Sequence, residues 1–414
     1  MKTKLWNKDF ILLMQGKFVS NIGDVLYSVA LSFWILQTTQ SKSLMGILLA
    51  CQTLVKVILS PFGGVLCDRL NRKHIIVYSD MVCGATMLAI SILGFMNCLE
   101  VWMIFAAGIM MALCSAIFEP TMSSVFPDLI PADQLSRGLS FKQSIVTIVQ
   151  IIGQSISGVL LSVFGPLLIF LGNGISFFIS SFTESFIAVP KKVEVGEKLT
   201  FFEDFKSGLH FMNHQKGLKA TILTCCLLNF FGNGLMVLLL PYFMETPTLL
   251  AETGYGICMA LLTVGTLIGV IGYGILKTDG AKRWRVFTVS VIIECISLAL
   301  LPIAKGFYLF IAVAMIFGFG NAILNVVLNE VQYEIIPQDM RGKVFGMIGT
   351  MTMGLTPIAM ASFSILADYF GTAQIVMLAS LTSALSIVAL IVQKEIRHMI
   401  KNKPMQENLE ISAD

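Results

Sequence analysis

The stretch GGVLCDRLNRKHIIV, residues 63–77, places four charged side chains within six residues, between two apolar runs. They are Asp68, Arg69, Arg72 and Lys73. The chain of 414 residues is otherwise poor in charge, with 13% charged and 56% hydrophobic residues and a mean hydropathy of +0.83. A soluble domain carries about 25% charged residues. Most of the surface is therefore expected to face lipid, and the charged cluster marks a connection outside the membrane.

Apolar runs of about 20 residues, the length that spans roughly 30 Å of hydrocarbon as a helix, recur along the whole chain. The runs lack the alternation of apolar and polar residues that is typical of membrane β-barrel strands. We therefore predict an all-α membrane protein of twelve transmembrane helices, arranged as two pseudo-symmetric six-helix bundles. The predicted helices cover residues 10–36, 44–66, 74–97, 101–126, 140–164, 167–189, 218–244, 254–276, 286–304, 307–330, 343–367 and 372–393.

The longest polar stretch separates the sixth run from the seventh, and a second polar stretch follows the twelfth run. We predict an N-terminal six-helix bundle over 1–189, a cytoplasmic linker over 190–217, a C-terminal six-helix bundle over 218–393 and a cytoplasmic tail over 394–414.

An internal repeat supports the division into halves. Phe164-Gly165 recurs as Phe370-Gly371, and Ile130-Pro131 recurs as Ile336-Pro337, at the same offset of 206 residues. Parallel repeats of six helices are typical of one large class of secondary transporters.

Lysine and arginine concentrate in the connections on one side of the twelve-helix pattern, and the opposite side keeps only Lys42 and Lys305. Because cytoplasmic loops carry the excess of basic residues, both termini are predicted to be cytoplasmic. The first run is longer than the apolar core of a signal peptide and lacks an obvious cleavage site, so we interpret it as a retained helix. These features predict a multi-pass protein of the cell membrane.

Motifs for other chemistry are scarce. Nine cysteines lie mostly within apolar runs without a CxxC pair, which favours packing over disulfide or metal roles. His210 and His214 have no acidic or cysteine partner at ligand spacing, which favours a cytosolic helix over a metal site. The sequence contains neither GxxxxGK[ST] nor HExxH. We therefore expect no ATP drive, no enzymatic activity, no cofactor and no metal.

Charged side chains inside apolar runs are costly and are therefore candidates for function. Asp24 and Lys56 lie at matching depths in the first two runs, roughly 18 Å below the outer surface at about 1.5 Å per residue, so an ion pair between them is expected. Asp24 would then exchange a proton or meet a cationic substrate group. The alternative is a fixed structural pair.

Glu119 and Glu294 are two further candidates for proton coupling. A buried carboxylate without a permanent cation favours its neutral form, which suits reversible protonation at Glu119. Lys142, early in the fifth run, is the expected partner that would weaken this role. Lys17 and Glu184 lie near predicted helix ends and are expected to snorkel towards water.

Uncharged polar side chains recur at spacings of three or four on single helix faces, which indicates either a water-lined cavity or hydrogen bonds between helices. The candidate cavity residues are Asn21, Ser28, Gln150, Gln154, Asn229, Asn233, Asn321 and Asn325.

The charged loop resembles a known family motif. Residues 64–73 are similar to the GxxxDRxGRR or RK loop between helices two and three of the major facilitator superfamily, with Asn71 where the family usually has Gly. The stretch FEPTMSSVFPDLIPADQLSRGLSF, residues 118–141, resembles the branch that holds macrolide efflux proteins and related bacterial drug and siderophore exporters. The resemblance implies a cavity surrounded by helices 1, 4, 7 and 10, and a peripheral ninth helix that carries Glu294.

The resemblance also implies that the loop acts as a conformational latch on the cytoplasmic face. The alternative is that its basic residues serve only as topology signals. The latch residues would be Gly64, Asp68, Arg69, Arg72, Lys73 and, as acidic partner, Asp128.

The sequence departs from the family in two places. The GPxxGG motif of many drug antiporters appears as GQSISG over residues 153–158, and the fourth helix lacks the arginine that many relatives use in proton coupling. Acids such as Asp24 or Glu119 would have to serve instead.

The functional prediction is a secondary active transporter that exports amphipathic small molecules, macrolide-like antibiotics in particular, by proton antiport. Its partners would be substrate, protons and the lipid of a bacterial inner or plasma membrane, with no nucleic acid, and it would act as a monomer. The alternatives are a siderophore or lysolipid exporter, an importer, or a membrane receptor that does not transport.

The latch hypothesis predicts that Asp68→Asn sharply reduces transport while membrane insertion stays near normal, because topology depends on lysine and arginine rather than on this acid. Efflux and membrane abundance of the variant are the measurements. Unimpaired efflux by a well-expressed Asp68→Asn protein would remove the hypothesis.

Overall fold

A computed structural model describes residues 6–131, 134–188, 212, 215–276, 280–336 and 341–401. The described part is helical, with one short 3-10 helix at Pro247–Leu249. The α-helices are α1 Lys8–Thr39, α2 Lys42–Arg69, α3 Arg72–Phe95, α4 Val101–Asp128, α5 Leu135–Glu184, α6 Lys216–Glu245, α7 Ala251–Ile275, α8 Gly280–Leu300, α9 Phe307–Ile335, α10 Arg341–Gly354, α11 Thr356–Phe370, α12 Thr372–Val392 and α13 Lys394–Lys401.

Ten segments of the described chain are long and apolar enough to cross a membrane as helices. The prediction of an all-α membrane protein is therefore confirmed. The number of twelve transmembrane helices is not fully confirmed, although helical structure occupies each predicted run within the described residues.

The predicted fifth and sixth helices form α5, which is broken at Gly165 (φ 69°, ψ 170°) directly before Pro166. A positive φ is accessible to glycine without the steric cost that a side chain would add. Gly371, the glycine of the second copy of the Phe-Gly pair, has φ 89°. The repeated pair thus ends a helix with the same left-handed glycine in both halves of the sequence.

The predicted eleventh helix is divided into α10 and α11 at Leu355. Pro357 stands in the first turn of α11 and has no backbone N–H to donate to the preceding turn. The division follows from this missing hydrogen-bond donor, which the apolar pattern alone did not reveal.

The chain forms two compact units by its contacts. The first comprises Met1–Val195, Met236–Ala260 and Thr356–Ile375, and the second comprises Gly196–Leu235, Leu261–Leu355 and Val376–Asp414. This grouping cuts through α6, α7 and α12 and does not test the predicted division at residues 190–217, most of which lie outside the described residues. That division stays a prediction.

In the first unit, α1 packs along α5, α3 packs against α4 and α5, and α2 packs against α4 and α11. One end of this bundle holds an apolar cluster in which the ring centroids of Phe10 and Phe126 lie 5.7 Å apart. Since lipid tails are as apolar as these side chains, the close packing of the rings rather than water exclusion stabilises the helix contacts here.

The start of α2 depends on a carboxylate from α11. Asp368 accepts hydrogen bonds from the backbone N–H groups of Lys42 (3.0 Å) and Ser43 (2.7 Å) and from the Ser41 hydroxyl (3.1 Å). The Lys42 ammonium also lies 2.7 Å from Glu245 at the end of α6. Helix N-termini carry unpaired N–H groups and a partial positive charge, so the Asp368 carboxylate satisfies both.

In the second unit, α8 packs against α9, and α13 contacts both. Arg283, which is buried, pairs with Glu334 at 2.9 Å and Glu330 at 3.6 Å and donates to the carbonyl of Ile400 at 3.1 Å. The guanidinium therefore joins three helices near the end of the described chain.

Removal of the Asp368 carboxylate is expected to destabilise the protein by about 1–2 kcal/mol, the usual cost of losing a helix N-terminal cap. Asp368→Ala should lower the apparent thermal unfolding midpoint in detergent, and Asp368→Asn, which keeps one acceptor oxygen, should lower it less. An unchanged midpoint in Asp368→Ala would contradict this role. Glu245→Gln serves as the control that removes only the neighbouring ion pair.

Candidate functional site

A cavity of about 150 Å³ lies inside the first unit, among α1, α2, α3, α4 and the second part of α5. Its wall combines acidic, basic, uncharged polar and apolar side chains. The residues that line it include Lys17, Asp24, Lys56, Asp80 and Glu119, with Asn21, Ser28, Gln52, Ser115, Met111, Phe118 and Phe177.

The cavity brings together the candidates that the sequence predicted in the first half of the chain. Asn21, Asp24 and Ser28 are spaced by three and four on α1, so they share one helix face, and all three line the cavity. Lys56 on α2 and Glu119 on α4 complete the set. Their role in transport stays a prediction.

The partner predicted for Glu119 was wrong. Its carboxylate lies 2.5 Å from the ammonium of Lys17, while Lys142 places its ammonium over the ring of Phe126 at 5.1 Å. Lys17 is buried rather than directed to water, and 53% of the Glu119 side chain is exposed. Lys17 lies on the same helix as Asp24. The cation that pairs with Glu119 therefore comes from α1 and not from the predicted fifth helix.

The expected ion pair between Asp24 and Lys56 is absent from the described residues, in which no N–O distance of 4.0 Å or less joins them. Both side chains nevertheless line the same cavity. Equal depth fixes the height of two residues along the membrane normal, but the rotation of each helix about its axis decides whether their side chains meet.

Sequence reasoning missed Asp80 and misjudged Glu184. Asp80 lies on α3 and lines the cavity, and Glu184, the last residue of α5, is 1% exposed instead of snorkelling. A signal was available for Glu184, because Asn173, Ser176, Ser180 and Glu184 are spaced by three, four and four along the sixth apolar run. Such spacing predicts one polar helix face.

The polar side chains of two predicted stripes make hydrogen bonds within their own helices. Gln154 donates to Gln150 at 3.2 Å on α5. On α6, Asn229 donates to the carbonyl of Cys225 at 2.9 Å and Asn233 to the carbonyl of Asn229 at 2.7 Å. Neither stripe is among the residues that line the cavity of the first unit.

Glu294 and Asn321 form a separate polar contact in the second unit. The Asn321 amide donates to the Glu294 carboxyl at 3.0 Å, which joins α9 to α8, and Asn325 donates back to Asn321. Glu294 is buried. The Glu294 side chain therefore faces the neighbouring helix, which is one of the two roles that the asparagine stripe allowed, and the peripheral position of its own helix stays a prediction.

Part of the predicted latch is visible. Arg72 lies 2.7 Å from Asp128, the acidic partner that the family resemblance implied. Asn71, where the family usually has Gly, accepts from the backbone N–H of Lys73 and caps α3. The side chains of Asp68 and Arg69, and the surroundings of Gly64, lie outside the described part, so the function of the latch stays a prediction.

Within the described residues, no group of three or more His, Cys, Asp or Glu side chains is arranged to hold a metal ion. The cavity instead concentrates carboxylates and ammonium groups in a membrane-spanning bundle. Such groups can exchange protons and bind charged parts of a small molecule.

The ion pair between Lys17 and Glu119 predicts a coupling of about 1–2 kcal/mol in a double-mutant cycle, between the values for exposed and buried pairs. Lys17→Met, Glu119→Gln and the double variant would be compared by apparent unfolding free energy in detergent. Lys142→Met combined with Glu119→Gln is the matched control, in which the coupling should be weaker because no N–O distance of 4.0 Å or less joins these two described residues. Equal coupling in both cycles would contradict the assignment of Lys17 as the partner.

The comparisons with known proteins agree on one family. The chain is 26% identical to macrolide efflux protein A from Streptococcus pyogenes over 375 residues, which cover 88% of this chain and 91% of that protein. It is 24% identical to the staphyloferrin A transporter of Staphylococcus aureus (strain NCTC 8325 / PS 47), with coverage of 89% and 90%.

The fold is similar to that of a bacterial homologue of the iron transporter ferroportin, with a TM-score of 0.72 and 18% identity over 93% of this chain and 98% of that chain. A model of the Major Facilitator Superfamily matches residues 13–351 and, in a second match, residues 222–411. With most of its length matched, the chain belongs to the major facilitator superfamily and is a transporter rather than an enzyme.

Proposed function

We propose that this transporter exports amphipathic small molecules of the macrolide type, driven by protons that move inward, through alternating access of two halves. The observation that carries the proposal is the cavity of the first unit, where Asp24, Glu119, Lys17 and Lys56 lie within a membrane-spanning bundle. Similarity to macrolide efflux protein A along 88% of the chain supports export as the direction.

The acids of the cavity suit competition between a proton and a cationic substrate. Asp24 makes no ion pair within 4.0 Å to a described residue, so its carboxylate is available to an amine or to a proton. If one site accepts either ligand, binding of the proton weakens binding of the amine by the same factor. Protonation from outside would then release substrate.

The apolar part of the cavity wall suits the other face of an amphipathic substrate. Met111, Phe118 and Phe177 stand beside the acids, and the flexible thioether of methionine adapts to irregular apolar shapes. Ligand sites typically combine such an apolar wall with a few polar groups that fix orientation.

Export of a carboxylate-bearing siderophore is a second candidate. It is favoured by the similarity to the staphyloferrin A transporter and by Lys56, which makes no ion pair within 4.0 Å to the described part of the chain. Lys56→Met would then abolish transport, whereas export of a cationic amine would depend on Asp24 instead.

We also propose a cell-membrane location with both termini in the cytoplasm. The support is the distribution of lysine and arginine, which leaves only Lys42 and Lys305 on the opposite side. On that opposite side, the backbone N–H of Lys42 donates to Asp368 at 3.0 Å, and the Lys42 ammonium lies 2.7 Å from Glu245.

The proposal predicts that cells with the protein accumulate less of a radiolabelled macrolide than cells without it, and that proteoliposomes export the same macrolide when a pH gradient is imposed. In Asp24→Asn, an amide replaces the titrating carboxylate, so pH-driven export should be lost by at least about tenfold. Exchange of labelled for unlabelled macrolide without a gradient should persist but require a higher macrolide concentration, because the amide still accepts a hydrogen bond from the amine but no longer pairs with its charge.

Ser32→Ala on the same helix is the matched control, since Ser32 donates within α1 to the carbonyl of Ser28 and carries no charge. Normal pH-driven export in both Asp24→Asn and Glu119→Gln would rule out coupling through these acids. Absence of macrolide movement in either direction by the wild-type protein, with siderophore movement in its place, would favour the second candidate.

A further inference from the structure

Two carboxyl groups meet at the contact between α3 and the end of α5. Asp80 follows Val77 by one turn of α3, and the carbonyl of Val77 accepts from the Ser181 hydroxyl at 3.0 Å. Asp80 and Glu184 therefore lie at the same contact between α3 and α5, with Ser180 one helical turn before Glu184. Asp80, Glu184 and Ser180 are 2%, 1% and 0% exposed. Neither acid belongs to the set that the sequence marked for proton coupling.

No cation compensates this pair within the described residues, where neither carboxyl group has a basic nitrogen within 4.0 Å. The charged groups that face the pair are Lys17 and Asp24, both on α1. Lys17 already contacts Glu119 at 2.5 Å, and Asp24 adds a further acid. Two ionised carboxylates at this contact and shielded from water would repel each other strongly, so the pair is expected to retain a proton.

The hydrogen bonds around the pair indicate the same missing component. Both carboxyl oxygens of Glu184, Oδ2 of Asp80 and the hydroxyl of Ser180 have no partner with hydrogen-bond geometry in the described part of the chain. Buried polar atoms normally have such a partner. A proton on one carboxyl group would supply the donor that the other oxygens lack, and the fully buried Ser180 hydroxyl could donate to the same pair.

The space around the pair favours a proton over a metal cation. A Cβ atom added to Gly16 of α1 would lie 2.7 Å from Glu184 Oε1 and 2.8 Å from Ser180 Oγ. The backbone of α1 therefore closes this side of the pair, and a coordination shell cannot extend there. The described residues contain no group of three metal-ligating side chains here.

Asp80 connects the pair to the site described above, because it also lines the cavity that holds Asp24 and Glu119. A proton could therefore enter or leave through Asp80 while Glu184 remains enclosed by α1. The burial of both acids inside a transporter makes them functional candidates on general grounds.

We propose that Asp80 and Glu184 form a proton-binding site, in which one proton is held between the two carboxyl groups and is exchanged through the cavity at Asp80. The inference rests on the proposed proton antiport for its role in transport and deepens it by naming where the coupling proton is bound. The presence of the proton itself is independent of any substrate.

Infrared spectroscopy of the purified protein in proteoliposomes tests the presence of the proton directly. The wild-type protein should absorb as a protonated carboxyl group at neutral pH, and the absorption should shift in D₂O because the proton exchanges. The double variant Asp80→Asn, Glu184→Gln should lose this absorption. Glu294→Gln is the matched control, a buried acid in the second unit whose removal should leave the contribution of the pair unchanged.

Two uncharged substitutions keep the test decisive if the double variant does not fold. Ser180→Ala and Gly16→Ala retain both acids, but the first removes a hydrogen-bonding hydroxyl and the second forces Glu184 to move. Each should shift the carboxyl absorption. A spectrum of the folded double variant equal to that of the wild type, or spectra of Ser180→Ala and Gly16→Ala that both equal the wild type, would overturn the site.

Transport of a radiolabelled macrolide gives the second readout. The double variant should lose pH-driven export by at least tenfold while exchange without a gradient is retained, which a merely structural role would not produce. Equal pH-driven export by variant and wild type would overturn the coupling role. If the wild type itself moves no macrolide, the proposed function fails, and the infrared result still decides whether the pair binds a proton.

Discussion

The energetic cost of an ionised side chain in hydrocarbon is the constraint on which the interior of the first unit depends. A charge there must meet an opposite charge, water or a proton. Lys17 meets Glu119, and Asp24 and Lys56 share a polar cavity. Among the described residues, Asp80 and Glu184 have no basic nitrogen within 4.0 Å and lie beside each other and the Ser180 hydroxyl. The same constraint thus has three different solutions within one bundle, and they differ in how easily a proton can be gained or lost.

The two units solve the problem differently within the described chain. In the second unit, Glu294 accepts from Asn321 on the neighbouring helix, and Arg283 is compensated by two glutamates near a helix end. Those contacts join helices, so a change in the protonation of any of these acids would also break a contact between helices. The ionisable groups that line a cavity belong to the first unit, which is why both proposals concern that half of the sequence.

The sequence predicted which segments would be helices because burial in lipid demands long apolar runs, and it located the turn at Gly165 through the repeated Phe-Gly pair. It also predicted that Asn21, Asp24 and Ser28 share a face, since helical spacing determines this.

The sequence did not predict which side chains would pair with one another. Matching depth in the membrane suggested an ion pair between Asp24 and Lys56, and Lys142 was the partner expected for Glu119. The rotation of the packed helices about their axes instead places Lys17 beside Glu119. Asp80 was missed although it lies inside the third predicted run, where a charged side chain is a candidate for function on the same grounds as Glu294.

The cap that Asp368 provides has a consequence for biosynthesis. The backbone N–H groups that begin α2 belong to residues 42 and 43, and their acceptor follows more than 300 residues later. During translation, α2 therefore enters the membrane with an incomplete first turn and keeps it until nearly the whole chain has been made. The N-terminal half can insert early, yet this end of α2 is completed only when α11 has been made, so a truncated or stalled chain would expose the unfinished helix end to quality control.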